Sequence, residues 1–148
     1  MKFVIQCVKH ASVTVDGDVI GKIGRGYMVL IGVCDADDEA VADKMVDKMI
    51  KLRINKDAAG KTNLALADVD GGLLLVSQFT LYANCKKGNR PSFVEAGSPE
   101  HAEALYNYII ERCRERVPLV QTGSFGDEMA VELLNDGPFT IILDSDKL

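Results

Sequence analysis

The feature that most limits how this chain can fold is a proline near its C-terminus. Pro138 follows Gly137 inside the segment NDGPFT, which interrupts a strand-like run that reads MAVELL before it and FTIILD after it. Proline has no backbone N–H and cannot donate to a sheet, so it is excluded from the interior of a central strand. The sequence therefore predicts an interruption at 135–140. An ordinary turn between two final strands is the local alternative, because Asn-Asp-Gly is a good hairpin linker.

Most of the remaining pattern is typical of strands. Residues 3–15 alternate between apolar and polar side chains, and Asp16-Gly17 is a hairpin signal that returns the chain into VIGKIG. YMVLIGV and LLLVSQFTLYA are apolar runs that predict buried strands. The segment NKDAAGKTN is expected to be a loop.

Two segments change to helical spacing. Val41, Met45 and Met49 recur on one face of a predicted helix over 37–52, and carboxylates open it. The sequence SPE predicts a second helix start, which continues to about Arg116. Strands at both ends with two helices between them predict a mixed α/β fold, with the helices packed on one side of the sheet structure. A chain of 148 residues is most simply one domain, residues 1–148.

Composition and cysteine spacing exclude several classes of function. The net charge of −5 argues against non-specific binding of DNA or other nucleic acid, although it permits a local basic patch. The four cysteines form no CxxC pair, so we predict no metal site, no cofactor and reduced thiols in a cytoplasmic protein. No signal peptide and no apolar run of about 20 residues is present, so we predict no membrane span.

Few residues are arranged for familiar hydrolytic chemistry. The chain has no G-x-S-x-G motif, and its two histidines, His10 and His101, lie in a predicted strand and a predicted first helical turn. The segment SQFT places three polar side chains within a strand that otherwise looks buried, and buried polar groups need partners. Either the strand has one polar face or a bulge there, or SQFT belongs to a functional site.

Four segments together resemble one family. MKFVIQCVKHASVTVDG, LLLVSQFTLYANCKKGNRPSF, AEALYNYIIERCRE and VELLNDGPFTIILD occur in this order and are similar to segments of D-aminoacyl-tRNA deacylases. The resemblance covers essentially the whole chain. It implies a homodimer with a β-sandwich-like or barrel-like core and helices outside. It also implies hydrolysis of the ester that joins a D-amino acid to the 3′ end of tRNA.

The resemblance further implies where the site lies. Its catalytic motif maps onto Ser77, Gln78, Phe79 and Thr80, and its chirality motif maps onto Gly137-Pro138, whose cis peptide bond enters the pocket of the opposite subunit. Phe125 and Met129 match positions near the family's pocket, although core packing would also suit them. Lys86, Lys87 and Arg90 follow SQFT in a basic loop, where tRNA phosphate contact and simple solvation are both possible.

A mechanism without a catalytic triad follows as an expectation. An aminoacyl ester is already activated, so positioning and an oxyanion hole could suffice. We expect backbone amides around Gln78 and Phe79 to hold the oxyanion, and water to attack with help from the neighbouring 2′-hydroxyl of the tRNA. Thr80 as nucleophile is the alternative, but no base is evident nearby in sequence.

One departure from the family pattern concerns the chirality motif. Family members usually have arginine where this chain has Cys7, and that arginine is thought to orient the Gly-Pro segment. A thiol cannot supply a charged fork of donors. Either another group braces the segment, or the segment is looser. Deacylases for glycyl- or L-aminoacyl-tRNA, and a non-catalytic tRNA- or protein-binding module, are the rival functions.

Overall fold

The computed structural model describes residues 1–148, which form one sheet, one small hairpin and two helices. The strands of the sheet are β1 (Lys2–Val15), β2 (Asp18–Ile23), β3 (Gly26–Gly32), β6 (Gly72–Ser77), β7 (Val120–Thr122) and β8 (Ala130–Asp144). The small hairpin is formed by β4 (Asn55–Lys56) and β5 (Thr62–Leu64). The helices are α1 (Glu39–Lys51) and α2 (Pro99–Arg114).

Strand β1 organises the sheet because it has neighbours along both edges. One edge pairs antiparallel with β3 and then β2, and the other pairs antiparallel with β8. β6 adds parallel to β3, and β7 adds parallel to β6. Asp16 and Gly17 both adopt positive φ between β1 and β2, which confirms the predicted hairpin.

The sheet curls until β2 approaches β7. A Cβ added to Gly21 would lie 2.6 Å from the carbonyl oxygen of Thr122, so only glycine permits this approach. The curled sheet encloses a small apolar core between its own strands. The members of this core are Val8, Ala11, Val13, Ile23, Met28, Leu74 and Val76. The barrel-like sheet that the resemblance implies is therefore present.

The larger core lies between the outer face of the sheet and both helices. Met45 and Met49 of α1 and Ile109 of α2 are fully buried against the alternate residues of β3 and β6. The methionine stripe is thus core, and both helices pack on one side as predicted. Asp38 caps α1 by accepting a hydrogen bond from the Val41 N–H at 2.8 Å, and Pro99 occupies the first turn of α2.

Two predictions about local structure are wrong. The segment NKDAAGKTN is a short hairpin rather than a loop, since Asn55 pairs with Leu64 across a turn that the Asp57 carboxylate holds. The long strand predicted for LLLVSQFTLYA ends at Ser77, and Phe79–Tyr82 forms a 3₁₀ turn. Strand propensity alone predicts that this strand continues, but its polar residues Gln78 and Thr80 lie outside the sheet.

The start of the chain is fixed by a buried charge pair. The Met1 ammonium donates to Asp37 Oδ1 at 2.6 Å and to Ser145 Oγ at 2.7 Å, and both members of the ion pair are buried. The second oxygen of Asp37 accepts from the Cys34 N–H at 2.8 Å. The pair therefore ties β1 to the loop after β3 and to the end of β8. Neither helix has the length and apolar character needed to cross a membrane.

Candidate functional site

A cavity opens where the parallel strands β3 and β6 end. It measures about 720 Å³ and has a mostly apolar lining. Ligands commonly bind at the carboxyl ends of parallel strands, because the chain leaves the sheet there and exposes polar groups. Five of the residues selected from the sequence line this cavity: Ser77, Gln78, Phe79, Phe125 and Met129. Thr80 follows directly in the 3₁₀ turn.

The turn after β6 presents backbone donors near the cavity. The Gln78 N–H donates to the Ile31 carbonyl at 2.7 Å and continues the parallel ladder by one bond. Phe79 and Thr80 are the first residues of the 3₁₀ turn, where N–H groups have no acceptor within the turn. Of the amides expected to hold an oxyanion, that of Gln78 is therefore engaged, and the donors available to a ligand begin at Phe79.

The Thr80 hydroxyl has one side-chain partner. Gln78 Nε2 donates to Thr80 Oγ1 at 2.5 Å, so the oxygen acts as an acceptor. No carboxylate or imidazole contacts the hydroxyl to take its proton. This arrangement positions Thr80 without activating it as a nucleophile.

Aromatic side chains form one wall of the cavity. Phe79 is 56% exposed, and its ring meets that of Phe93 edge-to-face with centroids 5.1 Å apart. Phe125 packs at 5.9 Å from Tyr106, whose hydroxyl donates to the Leu75 carbonyl at 2.8 Å. Burial raises the pKa of Tyr106 to about 12, so this hydroxyl remains a neutral donor. Phe93 and Tyr106 were not selected from the sequence, because their spacing resembles that of any core aromatic residue.

Another part of the cavity lining, at Gly97 and Ser98, is hydrogen-bonded to the loop that follows β3. The Gly97 N–H donates to the Val33 carbonyl at 2.8 Å, and the Ser98 N–H donates to Asp35 Oδ1 at 2.8 Å. The imidazole Nε2 of His101 lies 2.9 Å from the Asp37 carbonyl oxygen. His101 thus supports this loop and does not line the cavity. Because Asp37 also holds the N-terminus, the pocket and the core share one anchor.

The Gly-Pro segment is a bulge in the edge strand β8. Asn135 pairs with Val8 and Thr140 pairs with Gln6, so Asp136–Phe139 stand opposite Cys7 alone. The two halves of β8 run in the same direction along β1, so the hairpin alternative is wrong. The Gly137–Pro138 peptide bond is cis, and both residues are exposed. Neither residue lines the cavity of its own chain.

Side chains at the base of the bulge brace it. Asn135 Oδ1 accepts from the Phe139 N–H at 2.6 Å, and Asn135 Nδ2 donates to Thr140 Oγ1 at 3.0 Å. Cys7 lies buried beneath, and its burial and then the Asp136 carboxylate raise the pKa of its thiol to about 11. A neutral thiol thus lies beneath the bulge, and the Asn135 amide at its base supplies the bracing contacts.

The remaining candidates lie apart from the cavity. Lys86, Lys87 and Arg90 are exposed in the loop after the 3₁₀ turn, and none forms an ion pair. His10 is exposed on β1. The four cysteines are unpaired, and no cluster of three metal-ligating side chains occurs.

Comparison with known proteins gives consistent matches along the whole chain. The family model for D-Tyr-tRNA(Tyr) deacylase matches residues 4–144. The D-aminoacyl-tRNA deacylase of Stutzerimonas stutzeri is 51% identical over 145 residues, which cover 98% of this chain and 100% of that protein. The D-aminoacyl-tRNA deacylase of Clostridium acetobutylicum is 48% identical over 148 residues, which cover 100% and 99%.

Solved structures share the fold. A structure described as c-Myc DNA Unwinding Element Binding Protein has a TM-score of 0.92 and 43% identity, with 97% of this chain and 98% of that chain covered. A probable eukaryotic D-amino acid tRNA deacylase has a TM-score of 0.82 at 18% identity, with 96% and 97% covered. The second likeness concerns the fold alone, and it confirms the mixed α/β architecture predicted from the sequence.

Proposed function

Since the chain belongs to the D-Tyr-tRNA(Tyr) deacylase family and is a hydrolase of aminoacyl-tRNA esters, we propose that it removes D-amino acids from tRNA by a site shared between two subunits. One observation carries the proposal. The two motifs of the family are separated on this chain, since Ser77–Phe79 line the cavity while Gly137 and Pro138 project from an exposed edge strand. A second copy of the chain would unite them.

The edge strand β8 offers the surface for a homodimer. A long edge strand leaves backbone donors and acceptors free to pair, and proteins normally cover or blunt such edges. Ile142 is 68% exposed and Leu134 is 46% exposed on this strand, which adds apolar area to cover. We propose that two copies pair through this region and exchange their bulges.

Backbone atoms of the bulge would read the handedness of the substrate. The carbonyl oxygens at Gly137 and Pro138 would accept hydrogen bonds from the α-ammonium group and leave no space for an L side chain. Glycine suits this position because backbone without a side chain can approach a ligand closely. Such a filter is independent of the D side chain. It also rejects glycyl-tRNA weakly, because glycine has no side chain to exclude, so we propose that glycyl-tRNA(Ala) is cleaved as well.

Hydrolysis would proceed by water attack on a positioned ester. The N–H of Phe79 and its neighbour Thr80 would stabilise the oxyanion, and the 2′-hydroxyl of the terminal adenosine would assist the water. The aromatic wall of Phe79 and Phe93 suits stacking of the terminal base. Lys86, Lys87 and Arg90 would contact tRNA phosphates from the neighbouring loop. The cytoplasm, where tRNA is charged, would be the site of action.

Deacylation of matched substrates tests the function. Purified protein should release D-tyrosine from D-Tyr-tRNA at least a hundredfold faster than L-tyrosine from L-Tyr-tRNA, with glycyl-tRNA between them. Equal rates for both enantiomers would contradict the chirality filter. Binding of all three without release of amino acid would indicate a non-catalytic module, and a strictly monomeric active protein would contradict the shared site.

Binding to DNA is a second candidate, because the similar solved structure is described as a DNA unwinding element binding protein. The net charge of −5 does not favour duplex binding. A gel-shift titration with duplex DNA and with aminoacylated tRNA at equal salt separates the two. Tighter binding of the duplex would favour the DNA candidate.

A further inference from the structure

Two cations face each other where β1 passes the bend between β2 and β3. The registers Val8↔Gly26 and Ala11↔Ile23 bracket this bend, so Arg25 in the bend lies next to Lys9 of β1. Both side chains are exposed, and neither forms an ion pair or a side-chain hydrogen bond. By contrast, Arg112 and Arg114 of α2 and Arg116 just after it are each paired with a carboxylate. Lys9 and Arg25 are here called the cation pair.

The cation pair has no counter-charge at ion-pair distance within the chain. The Asp136 carboxylate of the neighbouring bulge forms no ion pair with either cation. A local positive patch on a protein of net charge −5 therefore points to an anion from another molecule.

The cation pair lies beside the Gly-Pro bulge. Cys7 stands opposite the bulge on β1, and Lys9 is two residues further along, which corresponds to about 7 Å of strand. Side chains two residues apart on a strand point to the same face, so Lys9 lies on the same face of the sheet as Cys7. Arg25 lies in the bend two residues before Tyr27, which pairs with Cys7. In the proposed dimer, a bulge that enters the partner's cavity carries the cation pair to the rim of that cavity.

We infer that Lys9 and Arg25 bind backbone phosphates of the tRNA whose aminoacyl end occupies the partner subunit's cavity. This inference rests on the proposed function. Each tRNA would then be held from two sides, by the loop of Lys86, Lys87 and Arg90 on the subunit that supplies the cavity and by the cation pair on the subunit that supplies the bulge. Arginine and lysine are the usual phosphate ligands, and their contacts position a nucleic acid without reading its sequence.

Two substrates separate the inference from the function it rests on. D-Tyr-tRNA carries the phosphates, whereas 3′-O-D-tyrosyl-adenosine carries only the ester and the terminal nucleoside. We expect Lys9→Ala/Arg25→Ala to raise KM for D-Tyr-tRNA about tenfold, with kcat and the rate on D-tyrosyl-adenosine unchanged. The slope of log(kcat/KM) against log[salt] should fall in magnitude by about 1–2 for the lost phosphate contacts.

The control is Lys48→Ala, which removes an exposed, unpaired cation from α1. It should change neither KM nor the salt slope. Unchanged D-Tyr-tRNA kinetics in the double variant would overturn the inference, as would an equal loss on both substrates. Failure of the wild-type protein to cleave either substrate would instead overturn the proposed function.

Mixed dimers test which subunit supplies the cation pair. Ala96→Trp fills the cavity from its loop wall, so a dimer of one wild-type and one Ala96→Trp subunit keeps one working cavity. The cation-pair variant on the Ala96→Trp subunit, which donates its bulge, should raise KM for D-Tyr-tRNA. The same variant on the wild-type subunit should leave KM unchanged, and the reverse result would contradict the assignment to the partner.

Discussion

The cavity and the Gly-Pro bulge are held in place in opposite ways. The cavity is built into the fold, since Gln78 continues the β3–β6 ladder and the loop that supports Gly97 and Ser98 also contains Asp37, which anchors the buried N-terminus. The bulge is exposed and is braced mainly by its own Asn135. Damage to the cavity support should therefore unfold the protein, whereas damage to the bulge should abolish selectivity in a protein that remains folded.

The largest effect is expected at Asp37. Asp37→Asn leaves the Met1 ammonium buried without a counter-charge, and such a loss costs about 3–5 kcal/mol. Urea denaturation should show this decrease in the free energy of unfolding. The matched control is Asp38→Asn, since asparagine caps a helix as well as aspartate does. Equal, small changes in both variants would show that the anchor is not a stability element.

The next effect is expected in activity alone. Gly137 has a φ of +148°, and a Cβ there would lie 2.9 Å from the Phe139 nitrogen, so Gly137→Ala must displace the bulge. A displacement of about 1 Å can cost roughly 100-fold in rate. We expect that loss in kcat/KM for D-Tyr-tRNA, with an unfolding free energy within about 1 kcal/mol of wild type.

Gly17→Ala is the control for Gly137→Ala, because Gly17 also has positive φ but lies in the distant β1–β2 turn with open space around it. Gly17→Ala should lower the free energy of unfolding and leave kcat/KM for D-Tyr-tRNA unchanged. A Gly137→Ala protein with wild-type kcat/KM and wild-type preference for the D enantiomer would remove the bulge from the mechanism.

Cys7 links the bulge to stability at high pH. Burial raises the pKa of its thiol from 9.0 to about 11, so the folded state favours the neutral thiol. Its contribution to stability is complete below pH 9 and is lost as pH rises from 9 to 11, by roughly 2–3 kcal/mol. We expect Cys7→Ala to show a shallower fall in unfolding free energy over that range.

Cys85→Ala is the control for Cys7→Ala, because Cys85 is exposed. Its pH profile should match that of the wild type. Burial also raises the pKa values of Tyr106 and Cys113 to about 12, so some alkaline loss should persist in every variant. Identical profiles for Cys7→Ala and wild type would contradict the assignment to Cys7.

The smallest effect is expected at Thr80. Its hydroxyl accepts from Gln78 and has no base, so Thr80→Ala should lower kcat by about tenfold or less. Single-turnover deacylation of D-Tyr-tRNA measures this, with Thr80→Ser as the conservative control. Complete loss of turnover in Thr80→Ala, with tRNA binding and fold intact, would make Thr80 the nucleophile.

The contrast between the cavity and the Gly-Pro bulge also explains how far the sequence predicted the structure. Hydrophobic periodicity indicates directly which side chains are buried. The alternation of apolar and polar side chains in residues 3–15 therefore predicts the early strands, and the spacing of Met45 and Met49 predicts the first helix. The end of β6 at Ser77 does not follow from local pattern, because SQFTLYA has the composition of a strand. The chain leaves the sheet there because polar Gln78 and Thr80 bond to each other.

The bulge shows a second limit. NDGP predicts a reversal of the chain from local turn chemistry, yet both halves of β8 pair with β1 in the same direction. Pairing of distant strands therefore overrides the turn. From the sequence, Asp37 counts only as one of the carboxylates that open the helix predicted over 37–52, since nothing in the local sequence indicates that it contacts Met1 and Ser145. Sequence resemblance selected Gly137 and Pro138, whereas their separation from the cavity became visible only in the structure.

Complementation between two inactive variants measures the central claim most directly. Gly137→Ala homodimers have an intact cavity and a displaced bulge, and Ala96→Trp homodimers have a filled cavity and an intact bulge. If the bulge acts across subunits, a purified mixed dimer contains one complete site. It should regain about half of the wild-type D-Tyr-tRNA deacylation rate per dimer, with the D preference restored. A mixed dimer as inactive as either parent would show that each bulge serves its own chain.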